Sequence, residues 1–296
     1  VSKKILVQYL SKAKKKYDLT SDLFLKKSLH KLSTFLSTNT IKALSRLSIF
    51  EIGKTLSEVN ETTLKEPHMV QFYNRYATYN GSSPYSTPGI MTVIQHLESH
   101  YGTYIPEGGM HSITKSLYEL AKRKGVIFNF KKLVSEIILE KNKATGLIVN
   151  GKKLSFDTVI SNMDIYPTYE KLLPKIRLPR NVKSQERSSS AVIFYWGISK
   201  IFKNLDLHNV FFSKDYRSEF DSIFVQKNIY DDPTIYINIT SKEIITDSPE
   251  NCENWFVMVN TCADTGQNWD FEVKRLKKIV LERLEKTLGE SIAPFI

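Results

Sequence analysis

The sequence has few of the residue patterns that mark common catalytic and structural sites. Its 296 residues include only two cysteines, Cys252 and Cys262, whose spacing suits neither a disulfide framework nor a zinc site and is typical of a reducing compartment. It contains no G-x-S-x-G, HExxH or CxxC pattern, so nothing indicates a hydrolase or a metalloprotease. It also lacks G-x-G-x-x-G after a strand and a Walker loop, the elements that hold a pyrophosphate.

Long hydrophobic runs and arginine are also scarce. No apolar run approaches the roughly 18 to 20 residues that a helix needs to cross a bilayer. The formal charge is +11, but arginine supplies only 9 of the 42 basic residues. Because nucleic-acid readers rely on arginine for bidentate contacts, the excess indicates solvated lysine, and we predict no nucleic-acid partner. The basic N-terminal part leaves contact with anionic membrane lipids open.

What is present predicts an α+β fold with a sizeable core, since 41% of the residues are hydrophobic and 11% aromatic. Residues 1–103 carry helical spacing. The first helix has Tyr9 and Ala13 on an apolar face, beside a predicted solvated face of Lys12, Lys14, Lys15 and Lys16. Thr38-Asn39-Thr40 offers an N-cap for a later helix.

A different pattern occupies residues 104–164. Gly108 and Gly109 open a helix, and Gly125 is placed to end it in a left-handed cap. Short apolar runs then predict strands at 126–130, 133–140, 144–149, 152–156 and 158–161. We interpret these residues as an α/β segment that is inserted between the two parts of another domain.

Residues 165–296 predict an antiparallel sheet and a closing helix. Ile235, Ile237 and Ile239 alternate with Tyr236 and Asn238, as in a strand with one face on a core or a cavity. The other strands and the helix are predicted at 191–198, 210–213, 255–260 and 271–288.

Two clusters of side chains could carry chemistry. Tyr73, Tyr76, Tyr79 and Tyr85 surround Arg75 at a predicted helix end, and they form either a packed aromatic cluster or the wall of a long apolar tunnel. His96 and His100 have the i, i+4 spacing of helical metal ligands, but no third ligand lies nearby in sequence, so we predict no metal site.

Several motifs together resemble the carotenoid desaturases, the phytoene-desaturase family of FAD-dependent flavin amine oxidoreductases. The run Arg-Tyr-Ala-Thr-Tyr at 75–79 resembles the 1-hydroxycarotenoid 3,4-desaturases more than the phytoene desaturases. The resemblance rests on Asn74 to Pro88, Gly102 to Ser112, Val159 to Asn162, Arg187 to Ala191 and Phe194-Tyr195-Trp196.

This resemblance implies an enzyme that introduces C=C bonds into an acyclic carotenoid by hydride transfer to FAD and loss of a proton. Such enzymes hold FAD on a split Rossmann-like domain, and both of its glycine-rich motifs are missing here. We therefore expect an internal fragment, inactive alone, with a helical and antiparallel-sheet substrate domain (1–103 and 165–296) around a middle segment of the FAD-binding domain (104–164).

The resemblance also implies site residues. Arg75 would orient a polar end group of the substrate, and Phe194 or Trp196 would extend the wall of the tunnel. The catalytic base is unassigned, with Glu107 and His111 as weak candidates. The substrate-binding residues would be Phe72, Arg75, Tyr76, Tyr79 and Tyr104, and the cofactor-binding residues would be Gly108, Gly109, Val134, Asn162 and Met163.

A second interpretation is a non-catalytic lipid-binding or scaffold fragment at a membrane surface. Both interpretations are compatible with a cytoplasmic, peripherally membrane-associated protein, since the implied carotenoid substrate is a membrane lipid. The oligomeric state stays open.

Overall fold

A computed structural model describes residues 1–21, 26–28, 30–31, 33 and 47–296. Contacts divide the chain into two compact units, Val1–Ile105 with Ser188–Ile296, and Pro106–Arg187. The second unit and the predicted inserted segment begin at nearly the same residue. The unit continues past Asp164 because the helical turn Thr168–Leu172 packs against its first strand. The predicted N-cap Thr38-Asn39-Thr40 lies outside the described residues.

Among the described residues, four helices form the N-terminal part of the first unit, and side chains cap three of them. The Ser2 hydroxyl caps α1, Thr55 and Glu58 form a capping box on α2, and the Glu66 carboxylate caps α3. These helices are α1 (Lys3–Thr20), α2 (Leu56–Leu64), α3 (Pro67–Asn74) and α4 (Val93–Tyr101), with 3-10 turns at Leu47–Phe50, Arg75–Asn80 and Gly89–Thr92. No helix in the described ranges is long and apolar enough to cross a bilayer.

Helix α1 buries Tyr9 and Ala13, as the apolar stripe predicts. The prediction that Lys16 is solvated is wrong: its side chain is 2% exposed, because position 16 continues the same helix face. The ammonium donates to the Gly89 carbonyl at 3.1 Å, to Thr92 Oγ1 at 2.7 Å and to the Glu51 carboxylate. A buried lysine is tolerated here because its donors are all used, although burial lowers its pKa.

The second unit contains one long helix and an antiparallel three-stranded sheet in the order β1-β2-β3. Short helical turns follow at Ile165–Pro167, Thr168–Leu172 and Arg180–Lys183. Gly125, with φ +85°, follows the helix in the left-handed conformation that the sequence predicts. Asn150 and Gly151 both have positive φ and connect β2 to β3 in a tight turn. These elements are α5 (His111–Arg123), β1 (Val134–Glu140), β2 (Lys143–Val149) and β3 (Lys152–Ser155).

Two predicted strands of this unit are absent from the structure. Residues 126–130 and 158–161 are irregular, and Ile127 is 84% and Ile160 90% exposed. Their apolar composition is that of buried strands, but a strand also needs a hydrogen-bonding neighbour, and none of the described residues pairs with either segment.

The C-terminal part of the first unit is an antiparallel sheet, as predicted, and its strand order is β4-β7-β6-β5. One face packs on the closing helix through Leu276, Val280 and Leu284, and Ile235, Ile237 and Ile239 are fully buried there. The elements are β4 (Ser190–Ile198), β5 (His208–Phe211), α6 (Tyr216–Asp221), β6 (Ile235–Asn238), β7 (Glu253–Thr261) and α7 (Trp269–Leu288).

Candidate functional site

The face of this sheet that points away from α7 is largely apolar and only partly covered. Strand register places side chains in rows that cross all four strands. One row is Ile193, Met258, Tyr236 and Val210, and the next is Tyr195, Phe256, Asn238 and His208. The second row therefore runs from aromatic side chains to polar ones at the edge strand β5.

A cavity of about 480 Å³ lies over this face, within the usual size range of small-molecule sites. The sheet contributes His208, Val210, Tyr236 and Met258, while α4 contributes Glu98. The opposite side comes from α3 and the 3-10 turn that follows it, with Phe72, Arg75, Tyr76, Thr78 and Tyr79. Mostly apolar walls with a few convergent polar groups are typical of a ligand pocket.

Tyr73, Tyr76 and Tyr79 form a stacked ladder at this cavity. Tyr73 lies at the end of α3, and Tyr76 and Tyr79 lie in the 3-10 turn that follows. The 3-10 geometry has three residues per turn and so places Tyr79 above Tyr76. The Tyr73 and Tyr76 rings lie 5.9 Å apart at 15°, and the Tyr76 and Tyr79 rings 5.8 Å apart at 7°. Tyr79 donates its hydroxyl hydrogen to the Glu98 carboxylate at 3.2 Å. Burial, and then the Glu98 charge, raise the pKa of Tyr76 and Tyr79, so both rings stay neutral.

Arg75 brings a positive charge with an unused hydrogen-bond donor. Its Nη1 is buried and has no hydrogen-bond partner among the described residues. Burial raises the pKa of Glu219, which is fully buried, and the nearby Arg75 charge offsets part of this rise. Glu219 accepts hydrogen bonds from Ser213 Oγ at 2.7 Å and from Thr234 N and Oγ1 at 2.8 and 2.7 Å. An unused donor in a half-buried cavity favours a ligand that carries an acceptor.

A polar trio stands at the edge strand. His208 Nδ1 lies 2.8 Å from the Tyr236 hydroxyl and 3.3 Å from Asn238 Nδ2. Asn238 Nδ2 also donates to the Leu207 carbonyl at 3.0 Å, which fixes the amide. The His208 and Tyr236 rings are stacked, with centroids 6.0 Å apart. This trio and Arg75 give the apolar cavity its main polar features beside Glu98.

Comparison with known proteins gives the family. Residues 14–291 match the profile of the flavin containing amine oxidoreductase family. The chain belongs to this family. It is 50% identical over 98% of its length to a 1-hydroxycarotenoid 3,4-desaturase from Flavobacterium sp., of which it covers 59%. It is 30% identical over 74% of its length to a phytoene desaturase from Fusarium fujikuroi, of which it covers 42%. The sequence-based recognition of carotenoid-desaturase relatives is thus confirmed.

Two solved structures share the fold at 15% identity. An oxidoreductase from Methanosarcina mazei matches 90% of this chain and 61% of its own, with a TM-score of 0.57. A protein from Pyrococcus furiosus matches 80% and 55%, with a TM-score of 0.53. The mixed helical and antiparallel-sheet architecture expected from the sequence is therefore confirmed.

The structure brings four of the five predicted substrate residues to one cavity, namely Phe72, Arg75, Tyr76 and Tyr79. Tyr104 does not line that cavity and is 84% exposed, because its ring folds back against Gly102, where a Cβ would come within 3.1 Å of its hydroxyl. Phe194 and Trp196, predicted as further wall residues, belong to the core with α7.

Four further residues line the cavity but were not predicted as site residues, namely Glu98, His208, Tyr236 and Met258. The alternation along β6 predicts a face for Tyr236 but not what covers that face.

The residues of this chain that are predicted to bind the cofactor all lie in the second unit. Gly108 and Gly109 have φ of +77° and +76°, a conformation that favours glycine, and the Gly109 N–H donates to the Pro106 carbonyl at 2.9 Å. No side chain caps the helix that follows, α5. The Ser112 and Ile113 N–H groups donate to the Gly109 carbonyl at 3.0 Å and the Met110 carbonyl at 3.3 Å. The two glycines carry no side chain that would keep a large group away from this turn, which is compatible with their predicted flavin role.

The other predicted residues of this unit are spread along it. Val134 is the half-buried first residue of β1, and Asn162 and Met163 lie exposed in an irregular segment. The weak catalytic candidates, Glu107 and His111, are both exposed, in the turn before α5 and at its first residue. Their roles stay predictions.

No metal cluster is present among the described residues. His96 and His100, the predicted i, i+4 pair, stack on each other with ring centroids 4.7 Å apart.

Proposed function

We propose that this chain supplies the substrate domain and the middle cofactor segment of an FAD-dependent carotenoid desaturase of the 1-hydroxycarotenoid 3,4-desaturase type. The observation that carries the proposal is the cavity between the tyrosine ladder and the open sheet face, in a chain 50% identical to such an enzyme over 98% of its length. The two relatives described above are desaturases, so they do not support the alternative, a non-catalytic lipid-binding fragment.

The second unit supports a split Rossmann-like domain. Residues 126–130 and 158–161 have the apolar composition of β-strands, but they pair with no strand within the described part of the chain. We infer that they become strands of a larger sheet when the remainder of the longer polypeptide pairs with them. FAD would then be held by Gly108, Gly109, Val134, Asn162 and Met163.

FAD, when bound, supplies a two-electron acceptor for the hydride that leaves the carotenoid. The residues of this chain bind and orient the substrate and exclude water from it. The rings of Phe72, Tyr76 and Tyr79 line the cavity and suit a flat, rigid polyene, which carries a positive charge once the hydride has left. Because a conjugated chain delocalises such a charge itself, the site needs few charged groups. Arg75 Nη1 would bind an oxygen at the hydroxylated end of the substrate.

The test uses the complete polypeptide that contains this segment. Expressed with both flanking parts, it should bind flavin, with visible absorption, and add double bonds to 1-hydroxylated acyclic carotenoids in a product profile from a carotenoid-producing host. A host with the empty vector is the control. A complete polypeptide with neither flavin absorption nor a desaturated product would contradict the proposal.

We also propose that the protein works in the cytoplasm at a membrane surface, where its substrate is dissolved. Helix α1 exposes Lys3, Lys4, Lys12, Lys14 and Lys15, which suit anionic headgroups. The complete polypeptide should sediment with vesicles that contain anionic lipid and less with zwitterionic vesicles. Equal sedimentation with both would remove the electrostatic contribution of α1.

A further inference from the structure

The two contacts to Nδ1 of His208 determine which ring nitrogen carries the hydrogen. Asn238 Nδ2 carries only hydrogens to offer, and its second contact, to the Leu207 carbonyl, fixes the amide in that orientation. His208 Nδ1 must therefore be the acceptor, and the Tyr236 hydroxyl, 2.8 Å away, shares the single lone pair of Nδ1 with the Asn238 amide. A neutral imidazole whose Nδ1 accepts carries its hydrogen on Nε2. The trio thus fixes His208 as a hydrogen-bond donor through Nε2.

The position of His208 gives this donor a use. It stands at the start of the edge strand β5, is exposed, and lines the same cavity as Arg75. The remainder of the sheet wall is apolar, with Met258 and Val210 in the neighbouring row. Arg75 Nη1 is a second donor without a partner among the described residues. A hydroxyl oxygen has two lone pairs and can accept from both donors at once.

We propose that His208 Nε2 and Arg75 Nη1 together bind the oxygen of the tertiary hydroxyl group at the end of the carotenoid. Asn238 and Tyr236 act as positioning residues that hold the donor tautomer. This inference rests on the proposed function and adds the part of the site that selects the substrate. A carotenoid without the hydroxyl would leave both donors without this acceptor, so it should bind more weakly.

The experiment measures dissociation constants in the complete polypeptide, by quenching of its aromatic fluorescence, for a 1-hydroxylated acyclic carotenoid and for the same hydrocarbon without the hydroxyl. We expect His208→Leu to weaken binding of the hydroxylated ligand about tenfold, the equivalent of one lost hydrogen bond with an orphaned partner, and to change binding of the hydrocarbon less than about twofold. His208→Gln, which retains an N–H donor, should restore most of the loss.

Two further variants distinguish positioning from packing. Asn238→Leu keeps the approximate volume but removes the donor to Nδ1, so it should weaken binding of the hydroxylated ligand only, by less than His208→Leu does. His100→Gln, in an exposed histidine on α4 outside the cavity, should leave both constants unchanged.

Equal losses for both ligands in His208→Leu, or no rescue by His208→Gln, would overturn the inference. If the wild-type polypeptide desaturates hydroxylated carotenoids while the His208 variants discriminate as it does, only this inference fails. If the wild-type polypeptide desaturates none, the proposed function fails first. Thermal unfolding of each variant shows whether a loss comes from misfolding.

Discussion

The two compact units differ in how they bury apolar side chains. In Val1–Ile105 with Ser188–Ile296, the sheet and α7 enclose a core whose central residues, such as Trp255 and Leu276, are almost completely buried. In Pro106–Arg187, α5 has a strongly one-sided apolar face but no buried residue, and Leu117 on that face is 61% exposed. The first unit satisfies its own hydrophobic pattern, whereas the second presents surfaces whose partners are not among the described residues.

The largest test of this difference is a matched pair of truncations. Leu276→Ala should lower the free energy of unfolding of this chain by about 3 to 5 kcal/mol, because it creates a cavity in a closed core. Leu117→Ala should change it by less than about 0.5 kcal/mol. Urea unfolding followed by circular dichroism measures both, and similar losses would show that α5 is already packed.

The second test compares this chain with the complete polypeptide. Ile127→Ser should be nearly neutral here, where the side chain is exposed. In the complete polypeptide it should cost about 2 kcal/mol, if residues 126–130 become a buried strand there. Thermal unfolding with Ile52→Ser as the control for another exposed isoleucine makes the comparison. A neutral effect in both forms would contradict the split domain.

Arg75→Ala sharpens the functional side of the comparison. The variant of the complete polypeptide should lose about tenfold in kcat/KM for hydroxylated carotenoid and much less for hydrocarbon, because it removes the unused Nη1 donor. Arg217→Ala is the matched control, since Arg217 stacks on Tyr85 away from this cavity. Equal losses of kcat/KM for both substrates would show that Arg75 does not recognise the hydroxylated end group.

The smallest expected effect is a pH dependence from Glu219. Burial raises the pKa of this carboxyl in the folded state, so above its unfolded value of 4.5 the folded protein retains a proton that the unfolded chain loses. Its contribution to stability is present below that pH and is lost as the pH rises through the folded pKa. Glu219→Gln should flatten the stability profile over this range in urea titrations. An unchanged slope would assign the pH dependence to other groups.

Much of the fold follows from local patterns. The alternation of Ile235, Ile237 and Ile239 with Tyr236 and Asn238 predicts β6 and its two faces, and the spacing of Tyr9 and Ala13 predicts the buried face of α1. The prediction of a strand at 126–130 was wrong for this chain. Hydrophobicity predicts that a segment is buried, but a strand also needs a neighbouring strand to pair with. The prediction that Lys16 is solvated was wrong because it rested on residue type alone. The buried helix face on which Lys16 lies and the three acceptors of its ammonium determine its burial.

The sequence by itself determined the family, the antiparallel sheet and the aromatic run from Tyr73 to Tyr79, since motifs and periodicity are local properties. Only the tertiary structure decided that Glu98, His208, Tyr236 and Met258 join that run around one cavity, and that Tyr104 does not. The physical reason is that these residues come from segments far apart in sequence. Strand register and the packing of α3 over the sheet bring them together, and neither is encoded in a short pattern.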